Sequence, residues 1–243
     1  MTIESLKLCQ LCGCSLRASS DGEYSRCVSC GSVRTKYDYD ANVYQSGYAN
    51  TYIRYAATEI NTPLNLCRLG LVSRWLKTDG KLLDMGCCVG EFLRFAEKYY
   101  SCTGFEPNKE AVRLARKRVD SPIVTSLENL GSKADCVTMF DVLEHIQDPI
   151  AAVSSLVSTY MAPNSVLVLT TPNADAIAQW NESGMQRWKH YKPREHLHIF
   201  TEKGLENLCA KVGLEPVYWG REESDIRPGN PDGDIMTLCA RKK

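Results

Sequence analysis

The sequence predicts an α/β fold: a mostly parallel sheet of seven strands with helices on both faces, preceded by a small metal-binding segment. Three observations lead there. Strand-like and helix-like stretches alternate at short intervals from residue 81 onward, the pattern of a parallel sheet covered on both sides. A glycine-rich turn and an acidic residue follow the first two strands, at the ends where such sheets bind ligands. Five of the twelve cysteines fall in the first 30 residues, four of them in two Cys-x-x-Cys-Gly units.

In chain order, Cys9-Gln10-Leu11-Cys12-Gly13 and Cys27-Val28-Ser29-Cys30-Gly31 each put two thiolates on one tight turn. The glycines supply the left-handed backbone that lets amides point at sulfur. Two such turns complete a tetrahedral sulfur site suited to structural zinc, with Cys9, Cys12, Cys27 and Cys30 as ligands. Cys14 is the alternative to Cys12, which has the better spacing. A redox Cys-x-x-Cys would belong to a strand–helix unit, and none follows. Residues 1–36 thus resemble a zinc ribbon, too short to fold without its metal.

Residues 37–79 read as a helical lead-in. Tyr44, Tyr48, Tyr52 and Tyr55 share one helical face, either to pack on the next domain or to line a cleft. Pro63 opens a second helix whose apolar stripe includes Leu64, Leu66, Leu71, Val72 and Leu76, and Asp79-Gly80 turns the chain into the sheet.

In the main domain, residues 80–243, strands are expected at Lys81–Met85, Cys102–Glu106, Pro122–Thr125, Asp135–Asp141, Ser165–Thr171, Leu214–Trp219 and Asp234–Arg241. Helices are expected at Glu91–Tyr100, Asn108–Val119, Pro149–Tyr160 and Glu202–Lys211, with Asp148-Pro149 a helix start of cap plus first-position proline.

The 243 residues carry 29 Lys+Arg and 29 Asp+Glu, which excludes a strongly basic field for unspecific nucleic-acid binding. No apolar run reaches the roughly 18 residues of a membrane span, and the first residues lack the apolar core of a signal peptide. Unpaired cysteines scattered through apolar runs fit a reducing compartment, so the expected location is the cytoplasm.

The first strand ends in Asp84-Met85-Gly86-Cys87-Cys88-Val89-Gly90 and runs directly into a helix. This is not the Gly-x-Gly-x-x-Gly turn of nicotinamide enzymes. Asp84 at a strand end repels a pyrophosphate and favours a ligand with an ammonium group. Glu106, ending the second strand, is placed to accept hydrogen bonds from a ribose diol. A cationic amino-acid moiety joined to a ribose describes S-adenosylmethionine.

The chain resembles the class I S-adenosylmethionine-dependent methyltransferases, a Rossmann-like family, in the branch with a Leu-Glu-His motif. Four blocks carry the resemblance: Leu82 to Gly90, Gly104-Phe105-Glu106-Pro107, Phe140 to Pro149 with Leu143-Glu144-His145, and Leu169 to Asn173. A fifth, Glu195 to Thr201, precedes the last helix. The resemblance implies that Asp84, Gly86, Cys88 and Gly90 hold the methionine part and Glu106 the ribose. It further implies that Ser126 and Leu127 flank the adenine and that Phe140 and Asp141 lie near the methyl end. Cys88 stands where the family usually has glycine, which predicts weaker cofactor binding if the turn needs a positive φ there.

The acceptor is expected to be a small polar molecule methylated on oxygen or carbon. Glu195-His196 is similar to the Glu-His pair of nucleotide-sugar C-methyltransferases, although Pro193 stands where those enzymes usually have tyrosine. His196, oriented by Glu195, is the expected base, and His145 the second candidate. The stretch 172–200, rich in aromatic and basic residues such as Trp180, Trp188 and Tyr191, is expected to cover the substrate. Two rivals stay open. One is a nucleic-acid methyltransferase using Lys109, Arg113, Arg116, Lys117 and Arg118; the other is a non-catalytic interaction protein docking through its ribbon.

Overall fold

A computed structural model describes residues 8–44, 51, 61–130, 132–177, 182–227 and 233–243. Tyr48, Tyr52, Tyr55 and Trp180, and the side chain of Tyr44, lie outside the described residues.

Two sheets organise the chain. The small one begins with β1 (Leu16–Ala18), β2 (Tyr24–Cys27) and β3 (Val33–Thr35), an antiparallel meander. Its fourth strand is β9 (His198–Ile199), which pairs with β3 in the register Val33 to Ile199 and Arg34 to His198. The small sheet therefore draws its last strand from far beyond residue 36.

The large sheet has the order β10-β11-β8-β7-β4-β5-β6. Its strands are β4 (Lys81–Met85), β5 (Ser101–Phe105), β6 (Ile123–Val124), β7 (Ala134–Phe140), β8 (Met161–Pro172), β10 (Leu214–Gly220) and β11 (Ile235–Lys242). All neighbours from β6 to β8 run parallel, and β11 alone is antiparallel to both strands beside it. The seven-stranded, mostly parallel α/β fold expected from the alternation is the fold observed.

Helices α1 (Asn61–Ser73), α2 (Leu93–Ala96), α3 (Lys109–Ala115), α4 (Pro149–Ser155), α5 (Glu182–Arg187), α6 (Glu202–Val212) and α7 (Glu222–Ile226) join them. Local causes set the bounds of two of them. In α6, Thr201 Oγ1 accepts the Gly204 N–H, Gly213 closes the helix at φ 77°, and Leu205, Leu208, Cys209 and Val212 form the buried stripe. In α4, Asp148 caps the Ala151 N–H and Pro149 occupies the first turn, as expected, and the last turn widens to a π-helix at Leu156–Tyr160.

The helix expected over Glu91–Tyr100 shrinks to α2. The N–H groups of Tyr99 and Tyr100 both turn back to the Ala96 carbonyl, ending the helix before β5 starts at Ser101. The expected stripe of α1 holds at Leu64, Leu71 and Val72, whereas Leu66 faces out at 52% exposure. Among the described residues no helix is long and apolar enough to cross a membrane.

Candidate functional site

The turn after β4 is built for close approach. Gly86 and Gly90 have φ of 71° and 81°, and a Cβ on Gly86 would sit 2.6 Å from Val142 Cγ2. Cys88 also takes a left-handed backbone, φ 48°, without being glycine. Its amide donates to Glu106 Oε2 at 2.9 Å, and the Asn108 amide donates to Oε1 at 2.8 Å. Glu106, the first residue past β5, thus bridges the turn and the start of α3. Its buried carboxyl is raised above the usual range by burial, against the pull of those two amides. Beneath the turn Asp84 is 3% exposed and accepts from Thr138 Oγ1 at 2.7 Å; burial pushes its carboxyl up to about 7. Cys88 is likewise pushed up to about 12, first by burial and then by the Glu106 charge, so it is a neutral thiol.

These features fit the cofactor that the sequence suggests. Two positive-φ glycines leave room for a ligand backbone, and a carboxylate stands at the end of the neighbouring strand. A half-buried Ser126-Leu127 pair follows β6, one strand further along. Ser126 Oγ caps the short turn behind it by accepting the Glu128 N–H at 3.3 Å.

On the other side of β4, Phe140 ends β7 and Asp141 follows it. The Phe140 ring meets Phe92 edge-on at 4.9 Å, and the Arg68 guanidinium lies 4.5 Å from its centroid. Asp141, at φ 57°, accepts from Arg68 at 3.0 Å and from Arg227 at 2.6 Å. Burial opposes its ionisation, yet the Arg227 and Arg68 guanidiniums win and hold it well below the carboxylate range. Both arginines also bind Glu223, which is fully buried. Sequence reasoning missed Arg68, Glu223 and Arg227. A single arginine inside the apolar stripe of α1 was the available signal for the first; Glu223 and Arg227, four residues apart, gave only an ordinary helical pair.

Beyond β7 the structure brings His145 and His196 together, with ring centroids 4.8 Å apart. His145 Nδ1 meets the Glu195 carbonyl at 2.9 Å, and His196 Nδ1 meets the His190 carbonyl at 2.7 Å. A carbonyl only accepts, so both Nδ1 atoms carry the proton and both Nε2 atoms keep the lone pair. Glu195 thus orients His145 through its backbone, while its carboxylate faces Lys192 at 3.8 Å. Burial, then the neighbouring His145, pushes His196 down to about 3 rather than leaving it near neutrality. His145 is lowered by burial too. Glu144, 1% exposed, accepts from Thr171 Oγ1 at 3.0 Å and is pushed up to about 8 by burial and the Asp141 charge.

In the ribbon, Cys9, Cys12, Cys27 and Cys30 offer sulfurs within 4.8 Å of one another; Cys14 stands outside this group. The Cys9–Cys30 and Cys12–Cys27 sulfurs are 3.7 and 3.4 Å apart. A tetrahedral zinc about 2.3 Å from each sulfur spaces them about 3.8 Å apart, so the donor set fits one. The amides of Ser29 and Cys30 both point at Cys27 Sγ, each at 3.4 Å.

The ribbon in turn holds the segment that carries His196. Arg34 donates to the Leu197 carbonyl at 3.1 Å, Thr35 N–H donates to the same carbonyl at 3.0 Å, and Thr35 Oγ1 reaches the Pro193 carbonyl at 3.0 Å. Thr201 Oγ1 donates to the Cys30 carbonyl at 2.5 Å. Trp188 and Tyr191 pack into a cluster with Tyr24, Val33 and Ile199. Much of the stretch expected to cover substrate is therefore engaged with the ribbon. Of the five cations on and after α3, Arg116 donates to the Ile123 carbonyl at 2.8 Å and Arg118 pairs with Glu91, so two are committed to the fold.

Comparison with known proteins agrees with this fold. A family model described as "Methyltransferase domain" matches residues 53–218. The chain is 26% identical over 158 residues to a mitochondrial ubiquinone biosynthesis O-methyltransferase of Arabidopsis thaliana, covering 55% of this chain and 49% of that protein. It therefore spans about half the length of that relative. It is 25% identical over 175 residues to the ubiquinone biosynthesis O-methyltransferase of Idiomarina loihiensis, covering 60% of this chain and 70% of the other. Among solved structures, the plantazolicin methyltransferase BamL, in complex with a desmethyl analogue and SAH, superimposes with a TM-score of 0.63 at 13% identity. That match covers 83% of this chain and 93% of BamL. A SAM-dependent methyltransferase from Methanosarcina mazei gives 0.54 at 21% identity, covering 71% and 96%. The chain belongs to the methyltransferase-domain family and shares the fold of the superimposed methyltransferase structures.

Proposed function

We propose that the chain methylates a small polar acceptor whose attacking atom carries a proton, an oxygen or an acidic carbon, with sugars and nucleotide sugars among the acceptors it suits. The observation that carries this is the position of the His145–His196 pair, past the end of β7 and beside the residues that would face the methyl end. S-adenosylmethionine supplies an electrophilic methyl group when bound. Asp84 and the turn from Gly86 through Cys88 to Gly90 hold its amino-acid end, and Glu106 takes the ribose hydroxyls. Ser126 and Leu127 flank the base, and Phe140 and Asp141 bound the methyl side. Alignment in a dry cleft accounts for most of the rate in such a displacement. His196, pinned through Nδ1 to the His190 carbonyl and packed edge-on against His145, receives the acceptor's proton at Nε2, a contribution of about 10²–10⁴-fold. The two O-methyltransferase relatives favour oxygen. One zinc in the Cys9, Cys12, Cys27, Cys30 site holds the ribbon.

A nucleic-acid acceptor has one observation in its favour. A groove of about 950 Å³ on the ribbon is lined by Arg17, Arg26 and Lys203, with Asp175 as its acid. Incubating the protein with methyl-labelled S-adenosylmethionine and a fractionated cell extract separates the two. Label in the small-molecule fraction, with His196→Ala lowering its incorporation about a hundredfold at unchanged cofactor affinity, is the expected result. Label confined to RNA or DNA, falling steeply with salt, overturns it.

A further inference from the structure

His196 owes its tautomer to one backbone carbonyl, that of His190, which accepts its Nδ1–H at 2.7 Å. The same carbonyl accepts the Lys192 N–H at 3.0 Å, and so closes the turn between the two histidines. Residue 190 is tethered in turn by its side chain. His190 Nε2 stands 4.0 Å from Asp234 Oδ2, with the two side chains 13% and 12% exposed. That is too long for a hydrogen bond and is an ion-pair distance once the ring is protonated. The Trp188 ring meets the same imidazole edge-on at 5.1 Å. Asp234 is fastened to the large sheet. It directly precedes β11, and its carbonyl accepts the Asn173 N–H at 2.7 Å. Asn173, fully buried just past β8, also donates from Nδ2 to the Gly233 carbonyl at 3.0 Å.

We infer that Asp234 and His190 are positioning residues for the proposed base: Asp234, anchored where β8 ends and β11 begins, holds the His190 ring, and the His190 carbonyl holds the His196 Nδ1–H. Which ring nitrogen of a histidine keeps its lone pair is set by the hydrogen bond that the other one makes. If the carbonyl of residue 190 drifts, the proton is free to move to Nε2, and an Nε2–H cannot accept a proton. The ribbon does a different job on the same loop. Its bonds fix the backbone at residues 193 and 197, whereas the ring of His196 is fixed from residue 190.

The inference deepens the proposed function and rests on its assignment of His196 as proton acceptor. Neither Asp234 nor His190 is asked to touch the acceptor. Two other cations stand near: Lys189 feels both Asp234 and Arg227, and Arg227 is committed to Asp141 and Glu223. Because Lys189 also feels Asp234, removing the carboxylate charge and removing the imidazole are separate tests of one device.

The test reads the tautomer directly, by nitrogen NMR of the full chain grown with isotope-labelled histidine. The His196 signals, identified by their loss in His196→Ala, should report the Nδ1–H form. Asp234→Asn keeps the shape and removes the charge; it should move His196 toward the Nε2–H form. It should also lower transfer of labelled methyl from S-adenosylmethionine into the small-molecule fraction of a cell extract about tenfold, with cofactor affinity within about threefold. Asp234→Glu, which restores the charge, should recover most of that loss. His190→Gln should match Asp234→Asn, and the two together should cost no more than either alone. In a His196→Ala background Asp234→Asn should cost nothing further. A tautomer unchanged in Asp234→Asn and His190→Gln, or losses that add in the double variant, overturns the inference. If Asp234→Asn also loses cofactor affinity, His190→Gln alone decides. If the tautomer shifts as expected but His196→Ala leaves methyl transfer untouched, the positioning stands and the choice of His196 as base falls.

Discussion

In the seven-stranded sheet Val137, Met139, Leu167, Leu169, Met236 and Leu238 are at most 1% exposed, and each such side chain is worth about 1.5–3 kcal/mol of burial. The four-stranded sheet buries a smaller cluster of Tyr24, Val33 and Ile199 with Ala174, Ile177 and Met185, while Cys9, Leu11, Cys27 and Cys30 pack into the core of the large sheet. One sheet is held mostly by its own apolar area; the other rests on the four-cysteine cluster, for which zinc is proposed, and on a strand borrowed from the methyltransferase domain. The dependence runs both ways, because Arg34, Thr35 and the Cys30 carbonyl fix residues 193–201, the segment that carries His196. With His196 facing the acceptor as proposed, the ribbon would brace one side of that site.

The most direct way to break the contrast is Cys27→Ser. Loss of one ligand should raise amide exchange in β2, β3 and β9 by a hundredfold or more, and with it exchange at the Thr35 and Thr201 amides. Amides of β7 and β8 should stay within about threefold. Hydrogen exchange resolved by mass spectrometry decides. Uniform loss across both sheets would show one cooperative core, and no loss anywhere would show a ribbon that needs no metal.

The large sheet has its own weak point in Asp84, whose carboxyl is raised to about 7 mainly by burial. Below about pH 4 the folded and unfolded chains both hold that proton, and the group's contribution is fully present. Between about 4 and 7 the unfolded chain releases it while the folded chain keeps it, so stability falls as pH rises and levels off above 7. Asp84→Asn keeps an acceptor for Thr138 and removes the titration. At pH 8 it should stabilise the cofactor-free protein by on the order of 2 kcal/mol, after allowing for a buried amide N–H₂. The advantage should vanish near pH 4. Denaturant titrations at pH 4, 6 and 8 check this. A pH-independent difference would place the ionised carboxylate in the native state.

Glu106→Ala sharpens the comparison from the cofactor side. It removes the acceptor of the Cys88 and Asn108 amides along with the charge proposed to take the ribose hydroxyls. Bonds to a charged group are worth about 1.5–3 kcal/mol, so calorimetry should show S-adenosylmethionine bound at least tenfold more weakly. The ribbon should be unaffected, with its metal content unchanged. An unaltered dissociation constant would remove Glu106 from the site.

The two regions also differ in how far they could be read from sequence. The large sheet announces itself because each strand is a run of apolar residues closed by a turn, and the proposed site residues Asp84, Glu106 and Phe140 sit where such strands end. The ribbon's cysteines were equally plain, since metal ligation fixes spacing. The join between them was not legible. His198–Ile199 is a two-residue strand with no periodicity of its own, and only its partner Val33–Arg34 makes it one. The meeting of His145 with His196 is a tertiary event across 50 residues, and Arg68 was hidden because long side chains on an apolar stripe read as ordinary amphipathic edge. Nor does anything local predict the burial that takes His196 from neutrality down to about 3.

Cys88 offers the smallest and most delicate measurement, because two effects oppose each other there. Its φ of 48° costs a non-glycine residue about 1–2 kcal/mol, which Cys88→Gly would relieve. Glycine, however, gives the unfolded chain more freedom to lose, about 0.5–1 kcal/mol, so the net gain in stability should stay below about 1 kcal/mol. Affinity is less balanced, since the unfolded chain does not enter the comparison of free and bound enzyme. Removing the side chain clears volume beside the ligand, while the amide that donates to Glu106 is kept. S-adenosylmethionine should therefore bind about two- to fivefold more tightly with the melting temperature shifted by only a few degrees. Cys88→Val makes the opposite case, a branched side chain at positive φ that should cost more than either effect alone. If glycine and valine leave affinity equal, the backbone at this position does not shape the cofactor turn, and the geometry between Gly86 and Gly90 is set by the two glycines alone.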